Sequence, residues 1–365
     1  MNLLTIIMPT LNRPNFLQFH LEYHKKNSSK YKLIIADGSF DKKVLIKNNN
    51  IINNYKKYLN IHYFLDKSYY FERVKKALKF VKTKYCLLTA DDDLYSFDFL
   101  RQGLDILEKN NKITSVYGQI SSIFLNKLNS KFYYQNQFLY NYRLSKLSLN
   151  SPDLDKRILD ISKSYLSSTC FLQRKEDLMK KIEVMELIRK KNFGKQELDI
   201  YKQLKLGFLY EMICSIYTVC FGRSIFIKKY MLCRLYHTKN AGGQSNLVNL
   251  TNILFNNKTY SIFFLVYNHL HECIKISLKR SKQIAAYFFF NIFITRFYVV
   301  RKETINTKFL SNTSSQILNL KIGSLFEKIF FNKFFNIFRS VLSLNNKDKI
   351  DFHKFIVKNV KLLKE

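Results

Sequence analysis

Three consecutive carboxylates, Asp91, Asp92 and Asp93, follow directly on the run Tyr85-Cys86-Leu87-Leu88-Thr89-Ala90. Adjacent carboxylates repel one another, and a hard cation held through oxygen ligands is the usual remedy. The plainer alternative is that one aspartate caps a helix after Leu94 while the others are solvated. Further along, Gln196-Glu197-Leu198-Asp199 sets two more carboxylates at the opening of a helix that ends near Gly207. Two positions apart on a helix, side chains point about 200° from each other, so only one of Glu197 and Asp199 can face a common site. A carboxylate at a helix start is also favoured by the macrodipole alone. His237 falls in a late loop, Tyr236 to Gly243, where an imidazole suits a metal or an anion and is equally at home in solvent.

Elements that position these groups can be read on either side of them. Tyr85 to Ala90 lacks the alternation of a half-exposed strand and reads as one buried on both faces, as in a parallel sheet covered by helices. The acidic cluster then lies at the carboxyl edge of that sheet, where open α/β folds bind ligands. Leu3 to Met8 is a similar run, and the two prolines in Pro9-Thr10-Leu11-Asn12-Arg13-Pro14 make a loop just past it. Phe16 to Tyr23 gives a helical apolar face, and Tyr31 to Ala36 a second strand ending in Asp37-Gly38-Ser39. Asn48 to Tyr58 is polar and poorly patterned. Ile61 to Phe64 is a third strand, and Tyr69 to Phe80 a helix with Phe71, Val74, Ala77, Leu78 and Val81 on one side and Glu72, Arg73, Lys75 and Lys76 on others. Alternating strands and helices predict an α/β sheet whose ends bring Thr10 to Arg13, Asp37 to Ser39 and Asp91 to Asp93 to one edge. Phe97 to Leu107 reads as a helix, Ile113 to Phe124 as a strand interrupted by Gly118, Ser167 to Arg174 and Ile225 to Arg234 as further strands, and Lys175 to Lys191 as a charged helix.

The balance of 61 Lys and Arg against 27 Asp and Glu, a formal charge of +34, calls for a polyanionic partner: nucleic acid, an anionic membrane or a phosphorylated substrate. The abundant tyrosines and phenylalanines fall largely in apolar runs, where they pack a core, and no nucleic-acid recognition motif accompanies them. Nucleic acid is therefore not the expected partner. Six cysteines without a C-x-x-C pair, mostly among apolar residues, predict reduced thiols and a cytoplasmic setting. The first residues have no basic n-region and read as the first strand rather than a signal peptide. Residues 251–365 hold 19 Lys and Arg against 6 Asp and Glu. Ile284 to Val300 is shorter than the roughly 20 apolar residues a membrane span needs. Phe326, Ile329, Phe330, Phe334, Phe335 and Ile337, with Lys328, Lys333 and Arg339 between them, form an amphipathic pattern suited either to an anionic lipid surface or to packing on the preceding domain.

Three motifs in order, Ile6 to Pro14, Ile34 to Ser39 and Leu88 to Leu94, resemble the signatures of family 2 glycosyltransferases. The likeness covers about residues 1 to 240. It implies a GT-A, Rossmann-like, mostly parallel sheet with flanking helices, here a catalytic domain over 1–245, followed by a mainly helical basic region over 246–365. It implies that Pro9, Thr10, Asn12 and Arg13 border the nucleotide of a nucleotide-sugar donor, that Asp37 accepts a hydrogen bond from the base of a UDP-sugar, and that Arg73 approaches the base or diphosphate. Asp91, Asp92 and Asp93 match the D-x-D motif, with Asp91 and Asp92 toward the sugar nucleotide and Asp93, with Asp91 and His237, at a divalent ion, Mn²⁺ or Mg²⁺. Glu197 or Asp199 takes the place of the general base of an inverting transferase, although the usual adjacent Glu-Asp pair is replaced by Glu-Leu-Asp. The implied reaction moves a sugar to a surface polysaccharide, a lipid-linked glycan or a glycoprotein, at the inner face of an anionic membrane. The rival is a GT-A-like membrane-associated scaffold that has lost turnover. A nucleotidyltransferase would need glycines in the loop after the first strand, and Pro9 to Pro14 has none.

Overall fold

The computed structural model describes residues 3–125, 132–136, 149–162, 168–193, 213–236 and 257–286. Strand β1 (Leu4–Thr10) is buried at every position and lies at the centre of a parallel set. It pairs with β2 (Lys32–Asp37) on one side and β4 (Tyr85–Leu88) on the other, and β2 pairs in turn with β3 (Ile61–Leu65). Burial on both faces explains why these strands are apolar runs instead of alternating ones. The strand extends two residues past Met8, so that Pro9 and Thr10 belong to β1, opposite Ala36 and Asp37.

Helix α1 (Pro14–Lys26) starts with a proline at its first position, where a missing N–H is tolerated. Helix α2 (Lys42–Lys56) covers the stretch that reads as unpatterned in the sequence. Asp41 caps it, accepting from the backbone N–H groups of Lys43 and Val44 at 2.7 and 3.3 Å. Its buried positions are Asn48, Ile51, Ile52 and Tyr55, a helical stripe whose first member is polar, which is why the stripe is hard to see. Helix α3 (Tyr70–Lys79) buries Phe71, Val74, Ala77 and Leu78 as expected, and also Arg73, which the sequence places on an outer face.

After β4 the chain turns through Thr89 to Asp92 and forms a three-residue strand, β5 (Asp93–Tyr95). Helix α4 (Phe97–Lys109) follows, capped by Ser96, whose Oγ accepts from Phe99 N at 3.2 Å. The helix cap is thus a serine and not one of the three aspartates. Strands β6 (Ile113–Leu125), β7 (Phe132–Asn136), β8 (Leu172–Arg174) and β9 (Arg223–Tyr236) complete the sheet, in the order β3-β2-β1-β4-β8-β6-β9-β5 with β7 beside β6. Pairing turns antiparallel at β4–β8 and β8–β6, is parallel between β6 and β9, and is antiparallel again between β9 and β5. Where the β6–β9 register shifts, Gly118 lets the backbones close up: a Cβ there would lie 2.6 Å from the Lys229 carbonyl oxygen. The segment expected as a strand over 167–174 is a 3₁₀ turn, Ser168–Cys170, and then the short β8.

Helices α5 (Leu154–Ser162), α6 (Lys175–Phe193) and α7 (Asn257–Ile274) lie outside the sheet, together with helical residues 213–221 and 278–286. Helix α1 packs against α2, α3 against α6, α4 on β6, β8 and β9, and α7 on α6. Among the described residues no helix is long and apolar enough to cross a membrane. The amphipathic segment Phe326 to Arg339 lies outside the described residues.

Candidate active site

The carboxyl ends of β1, β2 and β4 meet, and the side chains at those ends bond to one another. Thr10, last in β1, donates its hydroxyl to Asp91 Oδ2 at 2.7 Å. Arg13, just before α1, bridges two carboxylates: Nη1 lies 2.7 Å from Asp91 Oδ1 and Nη2 2.7 Å from Asp92 Oδ2. The Phe16 ring, one turn into α1, supports that guanidinium at 4.5 Å. Asp93 opens β5 directly opposite Arg234 of β9, whose Nε and Nη2 meet its two oxygens at 3.0 and 3.2 Å. All three aspartates are buried.

Burial shifts these groups against their charged forms. It pushes the Asp91 carboxyl up to about 6, with Arg13 and Thr10 pulling the other way and Asp92 adding to the rise. Asp93 is raised for the same first reason, against Arg234. Burial also works against the charge on Arg13, but Asp91 and Asp92 outweigh it and the guanidinium titrates above its ordinary value.

The β2 end is built differently. Asp37 is fully buried and its carboxylate is already bonded: Oδ1 accepts from Ser39 N at 2.8 Å, and Oδ2 from Asn48 Nδ2 and the Tyr63 hydroxyl, both at 2.8 Å. Asp37 therefore shapes the Gly38-Ser39 turn, and a base would have to share oxygens that already hold three donors. Ser39 Oγ accepts from Asn12 N at 2.8 Å, which ties the first loop to the second. Asn12 adopts φ 52°, a left-handed conformation that asparagine tolerates better than most residues. Arg73 reaches from α3 to cover Gly38, donating from Nη1 to the carbonyls of Ser68 at 3.2 Å and Asp66 at 3.4 Å. Burial lowers its pKa.

Pro9, Thr10, Asn12, Arg13, Asp37, Arg73, Asp91, Asp92 and Asp93 thus gather at one sheet edge. Glu197, Asp199 and His237 lie outside the described residues. Several residues at this edge carry no sequence signal for it: Asn48 and Tyr63 on Asp37, Phe16 under Arg13, and His20. His20 lies against the backbone of Asp91 and stacks on His24, with 3.2 Å between their Nε2 atoms.

The carboxylates are chemically suited to a hard divalent ion. As placed, however, they do not fit one: both Asp93 oxygens are taken by Arg234, and Asp91 is held by Arg13 and Thr10. Among the described residues no group of three or more His, Cys, Asp or Glu is arranged to hold a metal.

Residues 5–180 match the family described as Glycosyl transferase family 2. The match covers 176 of the chain's 365 residues. The mixed sheet, with its parallel β3-β2-β1-β4 core and flanking helices, has the α/β layout that the sequence motifs predict. Among solved structures, the chain is similar to the crystal structure of S. aureus TarS, at 15% identity and a TM-score of 0.47 over 87% of this chain and 47% of that one. This chain spans about half the length of that protein. It is also similar to S. aureus TarS 1-349 in complex with UDP-GlcNAc, at 12% identity and a TM-score of 0.42, covering 84% of this chain and 93% of that one. No curated protein matches the sequence.

Proposed function

We propose that this chain is a glycosyltransferase that transfers a sugar from a nucleoside diphosphate donor, a UDP-sugar in the first instance, to a hydroxyl of a surface polysaccharide, lipid-linked glycan or glycoprotein. The observation that supports this reading most strongly is the joining of the β1 and β4 ends in the Thr10–Asp91–Arg13–Asp92 network, within the family match. The Thr10 to Arg13 loop and the Asp37 to Ser39 turn border the nucleotide, and the guanidiniums of Arg13 and Arg234 face its diphosphate. Asp91 and Asp92 fix Arg13, and Arg73 closes over the Gly38 turn.

Transfer forms a bond from the acceptor oxygen to the anomeric carbon as the bond to the diphosphate breaks. The acceptor proton passes to a carboxylate, Glu197 or Asp199, and the sugar is inverted. A metal-assisted form, with Mn²⁺ or Mg²⁺ at Asp91 and Asp93 and a contact from His237, requires the Arg234–Asp93 pair to open first. Catalysis is assigned to 1–245, and the basic region 246–365 to holding the enzyme on the cytoplasmic face of an anionic membrane near its acceptor.

Calorimetry with UDP, GDP and CDP tests the donor reading. Binding of one of them by the wild type, weakened roughly tenfold or more in Arg13→Ala as expected for loss of a charge-assisted contact, supports it. A folded protein that binds none overturns it, and binding with no turnover of any nucleotide sugar turns the reading to the scaffold. Sedimentation of the full chain with anionic but not neutral vesicles, reversed by salt, tests the membrane role.

A further inference from the structure

Adjacent buried carboxylates either take up protons or are paired with positive charge. In this chain the charge comes from two guanidiniums on separate elements. Arg13 spans Asp91 and Asp92 from the β1–α1 loop, and Arg234 holds both oxygens of Asp93 from β9.

The second pair is set by the backbone. Asp93 and Arg234 are cross-strand partners in the β5–β9 ladder. Leu235 N donates to Asp92 O at 2.9 Å, and Ser96 N to Met231 O at 3.0 Å, so both ends of β5 are tied to β9. The fork of Arg234 therefore meets Asp93 because the strand register puts it there, 141 residues away in sequence. A divalent ion at Asp93 would have to expel that guanidinium from its ladder partner.

Depth in the site points the same way. The Arg13 and Arg234 side chains keep 20% and 26% of their surface exposed, against 3%, 10% and 5% for Asp91, Asp92 and Asp93. The two arginine side chains are thus the more exposed members of the cluster, and an anion arriving from solvent reaches them before the carboxylates. The start of α1, next to Arg13, adds roughly half a positive charge from the helix dipole.

We propose that Arg13 and Arg234 stand where a divalent cation would otherwise be needed: they offset two of the three charges on Asp91 to Asp93, as such an ion would, and present their N–H groups to the donor diphosphate, so that nucleotide binding is independent of metal. This inference rests on the donor reading above. In it Asp93 is a positioning residue that aims Arg234, not a metal ligand.

The test uses the full chain and calorimetry with UDP, GDP and CDP, in EDTA and with Mn²⁺ or Mg²⁺. The wild type binds its nucleotide in EDTA with a Kd within about twofold of that with metal, while Mn²⁺ alone gives no heat of binding above that of buffer. Arg234→Met keeps the bulk of the side chain but uncovers Asp93. Its nucleotide binding weakens roughly tenfold in EDTA and recovers when Mn²⁺ is added, so the variant acquires a metal dependence that the wild type lacks. Wild-type binding that appears only with metal overturns this inference and leaves the donor reading standing. No nucleotide binding in either condition overturns both. The wild-type comparison needs no substitution, and so stands even if Arg234→Met does not fold.

Discussion

Replacing Gly38 with alanine brings a methyl group to 1.8 Å from Arg73 Nη1, 2.4 Å from Cζ and 2.9 Å from Nη2. The backbone there belongs to the turn fixed by Asp37, and Gly38 N itself donates to Thr10 O at 2.9 Å, so the guanidinium is the part that must move. Moving it breaks the bonds from Nη1 to Ser68 O at 3.2 Å and Asp66 O at 3.4 Å. A hydrogen bond from a charged group contributes about 1.5 to 3 kcal/mol, and these lengths put each near the lower figure. Gly38→Ala should therefore destabilise the protein by about 3 kcal/mol. Arg73→Ala loses the same bonds and the packing of its buried stem, about 4 kcal/mol in all. With Arg73 already shortened the new methyl meets no guanidinium, so the double variant should stay near about 4 kcal/mol instead of the sum of about 7. Urea unfolding followed by far-UV circular dichroism, on wild type, both single variants and the double, measures this coupling. Additivity within about 0.5 kcal/mol would refute the argument that Gly38 is required by the Arg73 guanidinium.

Burial holds His20 neutral, with its pKa down at about 4, and lowers His24 in the same direction. The unfolded chain then binds more protons than the folded one between pH 6.5 and 4. Stability should be full above pH 6.5 and fall by roughly 1.4 kcal/mol per pH unit for His20 as the pH drops through that window. Asp91, raised to about 6, takes up a proton on folding between pH 6 and 4 and works in the opposite direction, so the His20 contribution is read as the difference between wild type and His20→Leu in thermal melts from pH 7 to pH 5. Asn48→Ala removes one of three donors to the buried Asp37 carboxylate and should cost about 1 to 3 kcal/mol in urea unfolding. Tyr63→Phe removes a second and, because Asn48 still serves the same oxygen, should cost about 1 kcal/mol by the same assay.

The first half of the fold is legible in the sequence because its strands announce themselves. Leu4 to Thr10, Lys32 to Asp37 and Tyr85 to Leu88 are short apolar runs buried on both faces, and each stops near the residues that meet at the site. What is not legible depends on contacts that no local pattern reports. Asn48 stands in the apolar stripe of α2 because it serves Asp37, and in the sequence this polar residue only blurs the helix. Arg73 looks like one more basic residue on a charged helix face until Gly38, 35 positions earlier, gives it a place to lie. The three aspartates stand out in the sequence, which suggests a metal for Asp93, whereas the guanidinium that meets it comes from a strand 141 residues further on. Asp37 reads as a group waiting for a base, whereas its oxygens already hold the turn, Asn48 and Tyr63.

Turnover of nucleotide sugars by the full chain tests the central claim most directly. The protein is incubated with UDP-, GDP- and CDP-sugars, and release of the nucleoside diphosphate is followed by mass spectrometry in wild type and in Arg13→Ala. The proposed site requires release from donors of one base above the protein-free rate, and at least a roughly hundredfold loss in Arg13→Ala at an unchanged fold, since that guanidinium stabilises charge on the leaving diphosphate. An absence of turnover for every donor, or full turnover by Arg13→Ala, would contradict it.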